Sequence, residues 1–162
     1  MKYTVAIVTI SDKGSKGERE DKSGPALQNV LKDLYDVKKM LIVPDEIDVI
    51  SDTLKFLADR EKIDLIVTTG GTGVAKRDVT PEATKMVIEK DLPGFAEVMR
   101  MESFKITPYG IISRGICGIR GESIIVNLPG SPKAATECLS FIIDALPHAI
   151  LKVKGDTSDC GV

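Results

Sequence analysis

Asp64-Leu65-Ile66-Val67-Thr68-Thr69-Gly70-Gly71-Thr72-Gly73 is the most informative segment of the chain. Its first part is a short run of aliphatic and β-branched residues, which is typical of a strand buried on both faces of a parallel sheet. Its second part places three glycines in four positions directly after that strand. Because glycine lets a backbone turn sharply and approach a ligand closely, the segment predicts a strand that leads into an anion-binding loop.

Strand-like and helix-like patterns alternate along the rest of the chain. Short β-branched runs predict strands at residues 3–10, 37–43, 64–69 and 123–128. Apolar residues at helical spacing predict helices over residues 25–34, 47–57 and 93–104, and a short hairpin is expected within residues 110–120. Two more helices are predicted to begin at Pro81 and Pro132, with Thr80 and Ser131 as their N-caps. This alternation predicts an α/β fold with a mostly parallel central sheet: one domain over residues 1–153 and a polar C-terminal tail over 154–162.

The composition excludes several classes of protein. The chain has 162 residues, a net charge of −2 and a sequence pI of about 5.5, which argues against a general nucleic-acid surface. No run approaches the roughly 20 apolar residues of a membrane span, and the N-terminus lacks the regions of a secretory leader. Cys117, Cys138 and Cys160 have no metal-binding or disulfide-framework spacing. We therefore expect a cytoplasmic protein with reduced thiols and with neither nucleic acid nor membrane as partner.

The glycine loop is suited to phosphate but matches neither common nucleotide motif. It has no Gly-Lys-Ser/Thr ending like that of the P-loop, and it lacks the third glycine of the dinucleotide fingerprint. A structural turn would explain one glycine well and the whole cluster poorly.

Two other loops follow predicted strands. Residues 11–24, beginning with Ser11 and Asp12, form a long connection that by itself is equally consistent with a mobile surface loop. Residues 127–133, which include Pro129 and Gly130, end a strand and begin a helix. That helix start favours an anion, although an ordinary capped helix explains the pattern as well. Since the carboxyl ends of parallel strands share one edge, we expect all three loops to meet.

Two carboxylates are expected at the same edge of the sheet. Asp45 follows the second predicted strand, and Asp78 follows the glycine loop. Paired carboxylates near phosphates commonly hold Mg²⁺, so Asp45 and Asp78 are candidate metal ligands and catalytic residues. The alternatives are an N-cap for Asp45 and a cap or ion pair for Asp78. His148, the only histidine, is predicted near the end of the last helix, where a surface position explains it.

Several motifs together resemble those of the MogA/MoaB group of molybdenum cofactor biosynthesis proteins, which includes the G domains of gephyrin and of the plant Cnx proteins. The most specific stretch is Thr69-Gly70-Gly71-Thr72-Gly73 followed by Arg77-Asp78-Val79-Thr80-Pro81-Glu82-Ala83-Thr84. Supporting matches are Ser11 to Gly14, Pro93-Gly94-Phe95, Ser113-Arg114 and Leu128 to Pro132. The resemblance covers nearly the whole chain except the tail.

The resemblance implies a fold, an activity and partners. The fold is a three-layer α/β/α domain that binds molybdopterin and usually forms a homotrimer. The activity is adenylyl transfer from Mg²⁺-ATP to the phosphate of molybdopterin with release of pyrophosphate, for which two aspartates are needed and Asp45 and Asp78 stand at the matching places. The downstream metal-insertion protein is a further candidate partner. The candidate substrate-binding residues are Ser11, Asp12, Thr69, Gly70, Gly71, Thr72, Gly73, Arg77, Ser113, Asn127, Pro129, Gly130 and Ser131.

Two alternatives remain open from the sequence. One is a non-catalytic molybdopterin-binding or scaffold paralogue of the MoaB kind, for which a retained pair of aspartates has no evident use. The other is a different nucleotide-processing enzyme on the same fold, such as the competence-damage-type domains, which usually form part of longer chains.

Overall fold

A six-stranded sheet forms the centre of the protein, as seen in a computed structural model that describes residues 1–161. Its strands are β1 (Thr4–Ile10), β2 (Asp36–Val43), β3 (Leu65–Thr69), β4 (Lys90–Asp91), β5 (Cys117–Arg120) and β6 (Ser123–Leu128). Their order across the sheet is β2-β1-β3-β6-β5-β4. The pairs β1/β2, β1/β3 and β3/β6 are parallel, whereas β5 runs antiparallel to both β6 and β4. The predicted α/β fold with a mostly parallel sheet is confirmed.

Seven α-helices connect or cover the described strands: α1 (Asp12–Ser15), α2 (Ser23–Leu31), α3 (Ile47–Lys55), α4 (Thr80–Val87), α5 (Pro93–Ile106), α6 (Pro132–Ile142) and α7 (Leu146–Val153). A π-helical turn, Phe56–Arg60, extends α3, and a 3₁₀ turn, Pro108–Ile112, follows α5. None of these helices is by itself long and apolar enough to cross a membrane. By length and composition alone, α6 and α7 pass such a test as a pair, bent by 65°.

The hydrophobic core has two halves, one on each face of the sheet. Successive side chains of a strand point to opposite faces, so Val5 and Ile7 of β1 join one half while Ala6 and Val8 join the other. Helices α2, α5, α6 and α7 cover the first half, and α3 and α4 cover the second. Because helices bury both faces, the central strands β1, β3 and β6 have near-continuous apolar sequences. The predicted three-layer arrangement is confirmed.

The predicted N-cap at Thr80 is wrong, whereas that at Ser131 is confirmed. Val79 is the N-cap of α4, and the buried Thr80 hydroxyl donates to the Gly70 carbonyl at 2.9 Å. A tertiary hydrogen bond has therefore taken the hydroxyl that the local pattern assigned to the helix end. At α6, the Ser131 Oγ accepts the Ala134 N–H at 3.1 Å.

The hairpin predicted within residues 110–120 is also wrong in its partners. Pro108 begins the 3₁₀ turn, and the Thr107 side chain accepts the Tyr109 N–H at the start of that turn. The strand that follows is β5, which pairs with β6 across Gly121 rather than with residues near 110. Gly121 has φ +55°, a left-handed conformation that favours glycine at this tight connection.

The residue that follows α7 contacts the domain. Helix α7 ends at Val153, and the Lys154 ammonium lies 2.7 Å from the Asp64 carboxylate. The division into a domain over 1–153 and a tail over 154–162 stays a prediction, and Val162 lies outside the described residues.

Acid should weaken the fold at Asp64, which is only 7% exposed. One carboxylate oxygen accepts the Lys154 ammonium at 2.7 Å, and the other accepts the Thr4 N–H at 2.8 Å and hydroxyl at 3.0 Å. Burial alone would raise the pKa of this carboxyl, but the hydrogen bonds outweigh it and lower the pKa below its usual value. The stabilisation is therefore present above the unfolded pKa and is lost as the pH falls through the lower folded pKa.

We expect Asp64→Asn to lower the free energy of unfolding by about 2 kcal/mol at neutral pH. The difference from the natural protein should shrink toward pH 3, as urea unfolding at the two pH values would show. Asp36→Asn, at an exposed carboxylate paired with Lys38, is the matched control and should change little at either pH. A difference for Asp64→Asn that did not vary with pH would contradict this interpretation.

Candidate functional site

Three loops meet at the carboxyl edge of the sheet: the first loop (residues 11–24), the glycine loop (residues 70–73) and the third loop (residues 127–133). They meet because β1, β3 and β6, the strands that lead into them, end together. In the parallel register, Thr69 of β3 is paired with Thr9 of β1 on one side and with Leu128 of β6 on the other. The loops after these strands therefore emerge side by side, as predicted from the sequence. Crevices at this edge are where open α/β sheets bind their ligands.

The first two glycines of the glycine loop are required by its backbone. Gly70 has φ +106° and Gly71 has φ +67°, both in the region that L side chains rarely adopt. A Cβ on Gly70 would lie 2.4 Å from the Ile10 carbonyl oxygen, and one on Gly71 would lie 2.3 Å from the Thr80 hydroxyl. Neither distance allows a carbon atom, so the tight turn depends on glycine at both positions.

The glycine loop leaves backbone donors unused. Within residues 1–161, the N–H groups of Gly71, Thr72 and Gly73 donate to no protein acceptor. Successive free N–H groups in such a turn are suited to bind an anion, so anion binding by this loop stays a prediction.

Asp45 lies beside this loop and is held by the first loop. Its carboxylate accepts the Asp12 N–H at 2.9 Å, and its own N–H donates to the Asp12 carboxylate at 3.0 Å. The N-cap of α3 is Glu46, so the capping role considered for Asp45 is not the one it has. Burial, together with the negative charges of Asp12 and Asp78, raises the pKa of Asp45. A cation between the carboxylates would relieve this repulsion.

Arg77 pairs with Asp12 across the two loops. The guanidinium contacts both carboxylate oxygens, at 2.5 Å and 3.0 Å, and this pairing lowers the pKa of Asp12. Both residues were predicted to bind substrate, yet neither lines a cavity of the site. Their contact instead ties the first loop to the glycine loop.

Asp78 lies beside the third glycine of the loop. Its Oδ2 accepts the Ala75 N–H at 2.9 Å and would lie 2.8 Å from a Cβ on Gly73. The capping alternative is wrong, because Val79 is the N-cap of α4 and the Asp78 oxygen instead closes the turn at Ala75. The Asp78 carboxylate forms no ion pair with a described residue, which leaves its second oxygen available.

Two cavities share this part of the molecule. The first has a volume of about 500 Å³ and runs between the glycine loop, α5, the 3₁₀ turn and α6, with Met99, Ile106 and Ile112 in its largely apolar wall. The second has a volume of about 630 Å³ and is more polar. Both volumes lie in the usual range for small-molecule sites. The residues that line both are Gly71, Asp78 and Gly130.

The predicted site residues are distributed over both cavities. Thr72, Gly73, Ser113, Asn127 and Pro129 line the first cavity, and Ser11, Asp45, Thr69, Gly70 and Ser131 line the second. Arg19 and Lys22 also line the second cavity and were not among the predicted site residues. Their signal was present: they are basic residues within the long loop 11–24, which was itself singled out.

Some of the predicted substrate contacts are engaged with the protein instead. The buried Asn127 donates to Thr68 at 3.1 Å and to Thr84 at 3.0 Å, and its oxygen accepts the Ile116 N–H at 3.2 Å. The buried Thr69 hydroxyl donates to the Pro129 carbonyl at 2.6 Å. These side chains support the loops more than they offer atoms to a ligand.

The third loop is fixed from α2 as well as from β3. The Ser23 hydroxyl donates to the Gly130 carbonyl at 2.6 Å, one residue beyond the carbonyl that Thr69 holds. A Cβ on Gly130 would lie 3.3 Å from the Gly70 Cα, so the third loop packs tightly against the glycine loop.

Asp45 and Asp78 are the carboxylates of this site that would contribute to holding a metal ion. Within residues 1–161 no three His, Cys, Asp or Glu side chains come together as a ready-made metal cluster. Mg²⁺ at phosphate sites commonly takes only one or two carboxylates and completes its shell with phosphate oxygens and water. The exposed His148 is near Cys160, 3.3 Å from its sulfur.

Known proteins resemble this chain over most of its length. The family described as "Probable molybdopterin binding domain" matches residues 6–148. The molybdopterin adenylyltransferase of Helicobacter pylori strain J99 is 47% identical over 156 residues, which are 94% of this chain and 88% of that protein. A solved structure of the molybdopterin biosynthesis enzyme MoaB from Thermus thermophilus is 46% identical with a TM-score of 0.90, over 95% of this chain and 98% of that one. A Mog protein structure from Mycobacterium ulcerans is 30% identical with a TM-score of 0.88, over 96% and 99% of the two chains.

Proposed function

The chain belongs to the probable molybdopterin-binding domain family of MogA and MoaB, and on this basis we propose that it is a molybdopterin adenylyltransferase. The reaction transfers AMP from ATP to the phosphate of molybdopterin and releases pyrophosphate. The observation that carries the proposal is the position of Asp78, at the junction of two cavities beside unused backbone donors. Two cavities that meet at one carboxylate suit two substrates that react phosphate to phosphate.

The bond changes are simple. An oxygen of the pterin phosphate attacks the α-phosphorus of ATP, the bond from that phosphorus to the bridging oxygen breaks, and pyrophosphate leaves with the electron pair. A phosphate monoester is already largely dianionic at neutral pH, since its second pKa is about 6, so the attacking oxygen needs no base. Catalysis then depends on positioning and charge, in line with a site that has no histidine within it.

The residues of the site divide this work. The N–H groups of Gly71, Thr72 and Gly73 donate to phosphate oxygens, which stabilises the charge that shifts during transfer. Asp45 and Asp78 would hold Mg²⁺, which neutralises charge on the triphosphate. Arg19 and Lys22, in the wall of the second cavity, attract the anionic substrates.

Pyrophosphate release tests this function against a scaffold. The purified protein with molybdopterin, ATP and Mg²⁺ should release pyrophosphate, and omitting any one of the three should stop the release. A scaffold paralogue would bind the pterin and release none. The retained Asp45 and Asp78 favour the enzyme, because pterin binding alone needs no metal site.

We also propose that the protein is a homotrimer. Large apolar side chains are exposed on α5 and the following turn, including Met101 at 66%, Phe104 at 53% and Tyr109 at 76%. Exposed apolar side chains grouped in this way are typical of a protein interface. Light scattering should give three times the chain mass of 17.5 kDa; a monomer at micromolar concentration would contradict the proposal.

A cytoplasmic location and a downstream partner complete the proposal. The three cysteines are unpaired, as expected in a reducing compartment. The product contains a phosphoanhydride bond between AMP and the pterin phosphate, and water can hydrolyse that bond. Direct transfer to the metal-insertion protein would protect it. Recovery of the protein from a secreted fraction would contradict the location, and failure of the two proteins to exchange the product would contradict the transfer.

A further inference from the structure

The four carbonyl groups of the glycine loop are all held by only two residues. The Thr80 hydroxyl donates to the Gly70 carbonyl at 2.9 Å, and the Thr80 N–H donates to the Gly71 carbonyl at 3.1 Å. The Arg114 N–H donates to the Thr72 carbonyl at 2.8 Å, and its Nε donates to the Gly73 carbonyl at 2.8 Å. No carbonyl of this turn is left free to rotate.

Fixing the carbonyls also fixes the N–H groups. A trans peptide is planar, so the N–H of each residue points opposite to the carbonyl of the residue before it. All the described peptide bonds are trans. The N–H groups of Gly71, Thr72 and Gly73 are therefore turned away from Thr80 and Arg114, and these three residues line the first cavity.

Arg114 holds Asp78 as well as the loop. Its Nη2 donates to the Asp78 carbonyl at 2.7 Å, and its Nη1 is paired with the Glu82 carboxylate on α4. That pairing raises the pKa of Arg114 and lowers that of Glu82, so both stay charged. One guanidinium thus connects the glycine loop, the Asp78 main chain and a helix.

We propose that Arg114 is a positioning residue of the adenylyl transfer. Its main-chain N–H holds the Thr72 carbonyl, and its side chain holds the Gly73 end of the loop and the Asp78 main chain together, which sets the place of the Asp78 carboxylate; it does not touch substrate. Its side chain lines neither cavity, although its neighbours Ser113 and Gly115 line the first. This inference rests on the proposed function. It adds a residue that supports the reaction without contacting the substrates.

Arg114→Met and Arg114→Lys test the proposal. A methionine fills similar space but cannot hold the Gly73 and Asp78 carbonyls, and we expect kcat to fall about a hundredfold, because the Gly73 end of the loop and the Asp78 carboxylate are then misplaced in the transition state. KM for the pterin should change about threefold or less, whereas KM for ATP should rise about tenfold, because its phosphates bind less tightly to the loop. Arg114→Lys keeps the charge opposite Glu82, but one ammonium cannot hold the Gly73 and Asp78 carbonyls together, so most of the loss should remain.

Arg120→Met is the matched control. Arg120 makes the same kinds of contact at the opposite end of the sheet, with two bonds to Asp59 at 2.9 Å and 2.7 Å and one to the Val87 carbonyl at 2.9 Å. Its loss should lower the free energy of unfolding while kcat stays within about twofold. If Arg114→Met or Arg114→Lys behaved like Arg120→Met, Arg114 would be merely structural and the proposal would be overturned. Full activity in Arg114→Lys alone would also overturn it, because charge would then suffice.

Binding of inorganic pyrophosphate gives a readout that is independent of turnover. Calorimetry should show at least about tenfold weaker binding to Arg114→Lys than to the natural protein, and no change for Arg120→Met. A natural protein that makes no adenylylated pterin yet shows this difference would refute the proposed function and leave the role of Arg114 standing. Equal pyrophosphate binding in all three proteins would refute the role of Arg114.

Discussion

Asp78→Asn should lower kcat by about a thousandfold while molybdopterin still binds. Asparagine has almost the same shape and retains an oxygen that can accept the Ala75 N–H, which lies 2.9 Å from the Asp78 carboxylate in the natural protein. The turn is therefore kept, and only the negative charge at the junction of the two cavities is removed. The measurement is pyrophosphate release under saturating ATP and pterin, with pterin affinity determined separately.

The control for Asp78 is another neutralised carboxylate. Asp91→Asn removes a charge paired with Lys85 at 2.7 Å on the surface, away from both cavities, and should leave kcat unchanged. An Asp78→Asn protein that folds normally and retains more than about a tenth of the natural kcat would show that this charge is not central to transfer.

Asp45→Asn should lower kcat about a hundredfold or more, and its effect should overlap with that of Asp78→Asn. Asparagine can still accept the Asp12 N–H, which lies 2.9 Å from the Asp45 carboxylate, so the link to the first loop is kept. If both carboxylates hold one Mg²⁺, the loss of either carboxylate removes the same bound metal ion. The double variant should then be no more than about threefold slower than the slower single variant.

A double-mutant cycle decides between joint and separate action. If the fold-decrease in kcat of the double variant equals the product of the two single decreases, Asp45 and Asp78 act independently. That result would refute a shared metal ion. Raising the Mg²⁺ concentration should partly restore the single variants, since one ligand remains, and should not restore the double variant.

The sequence was sufficient for the framework of the site because that framework depends on local patterns. A buried strand that runs into Gly70 and Gly71 is visible without knowledge of neighbours, and the left-handed backbone at both positions gives its physical reason. Parallel strands then bring the three loops to one edge. The place of Asp78 at that edge followed from the same reasoning.

The roles of individual side chains depended on contacts between distant residues. Thr80 resembles an N-cap by local sequence, yet its hydroxyl is bonded to Gly70, ten positions away. Arg114 reaches Gly73 across 41 positions, and Arg77 reaches Asp12 across 65. No local pattern reports such pairs, so a structural clamp and a substrate contact look alike in a sequence.

The fate of the α-phosphorus of ATP separates adenylyl transfer from its alternatives. The purified protein is given molybdopterin, Mg²⁺ and ATP labelled at either the α- or the γ-phosphate, and the products are separated after a single turnover. We predict that the α-label moves to the pterin, with one pyrophosphate carrying the γ-label for each pterin adenylylated. Tight pterin binding with both labels still in ATP would contradict adenylyl transfer in favour of a scaffold, and transfer of the γ-label would contradict it in favour of a kinase.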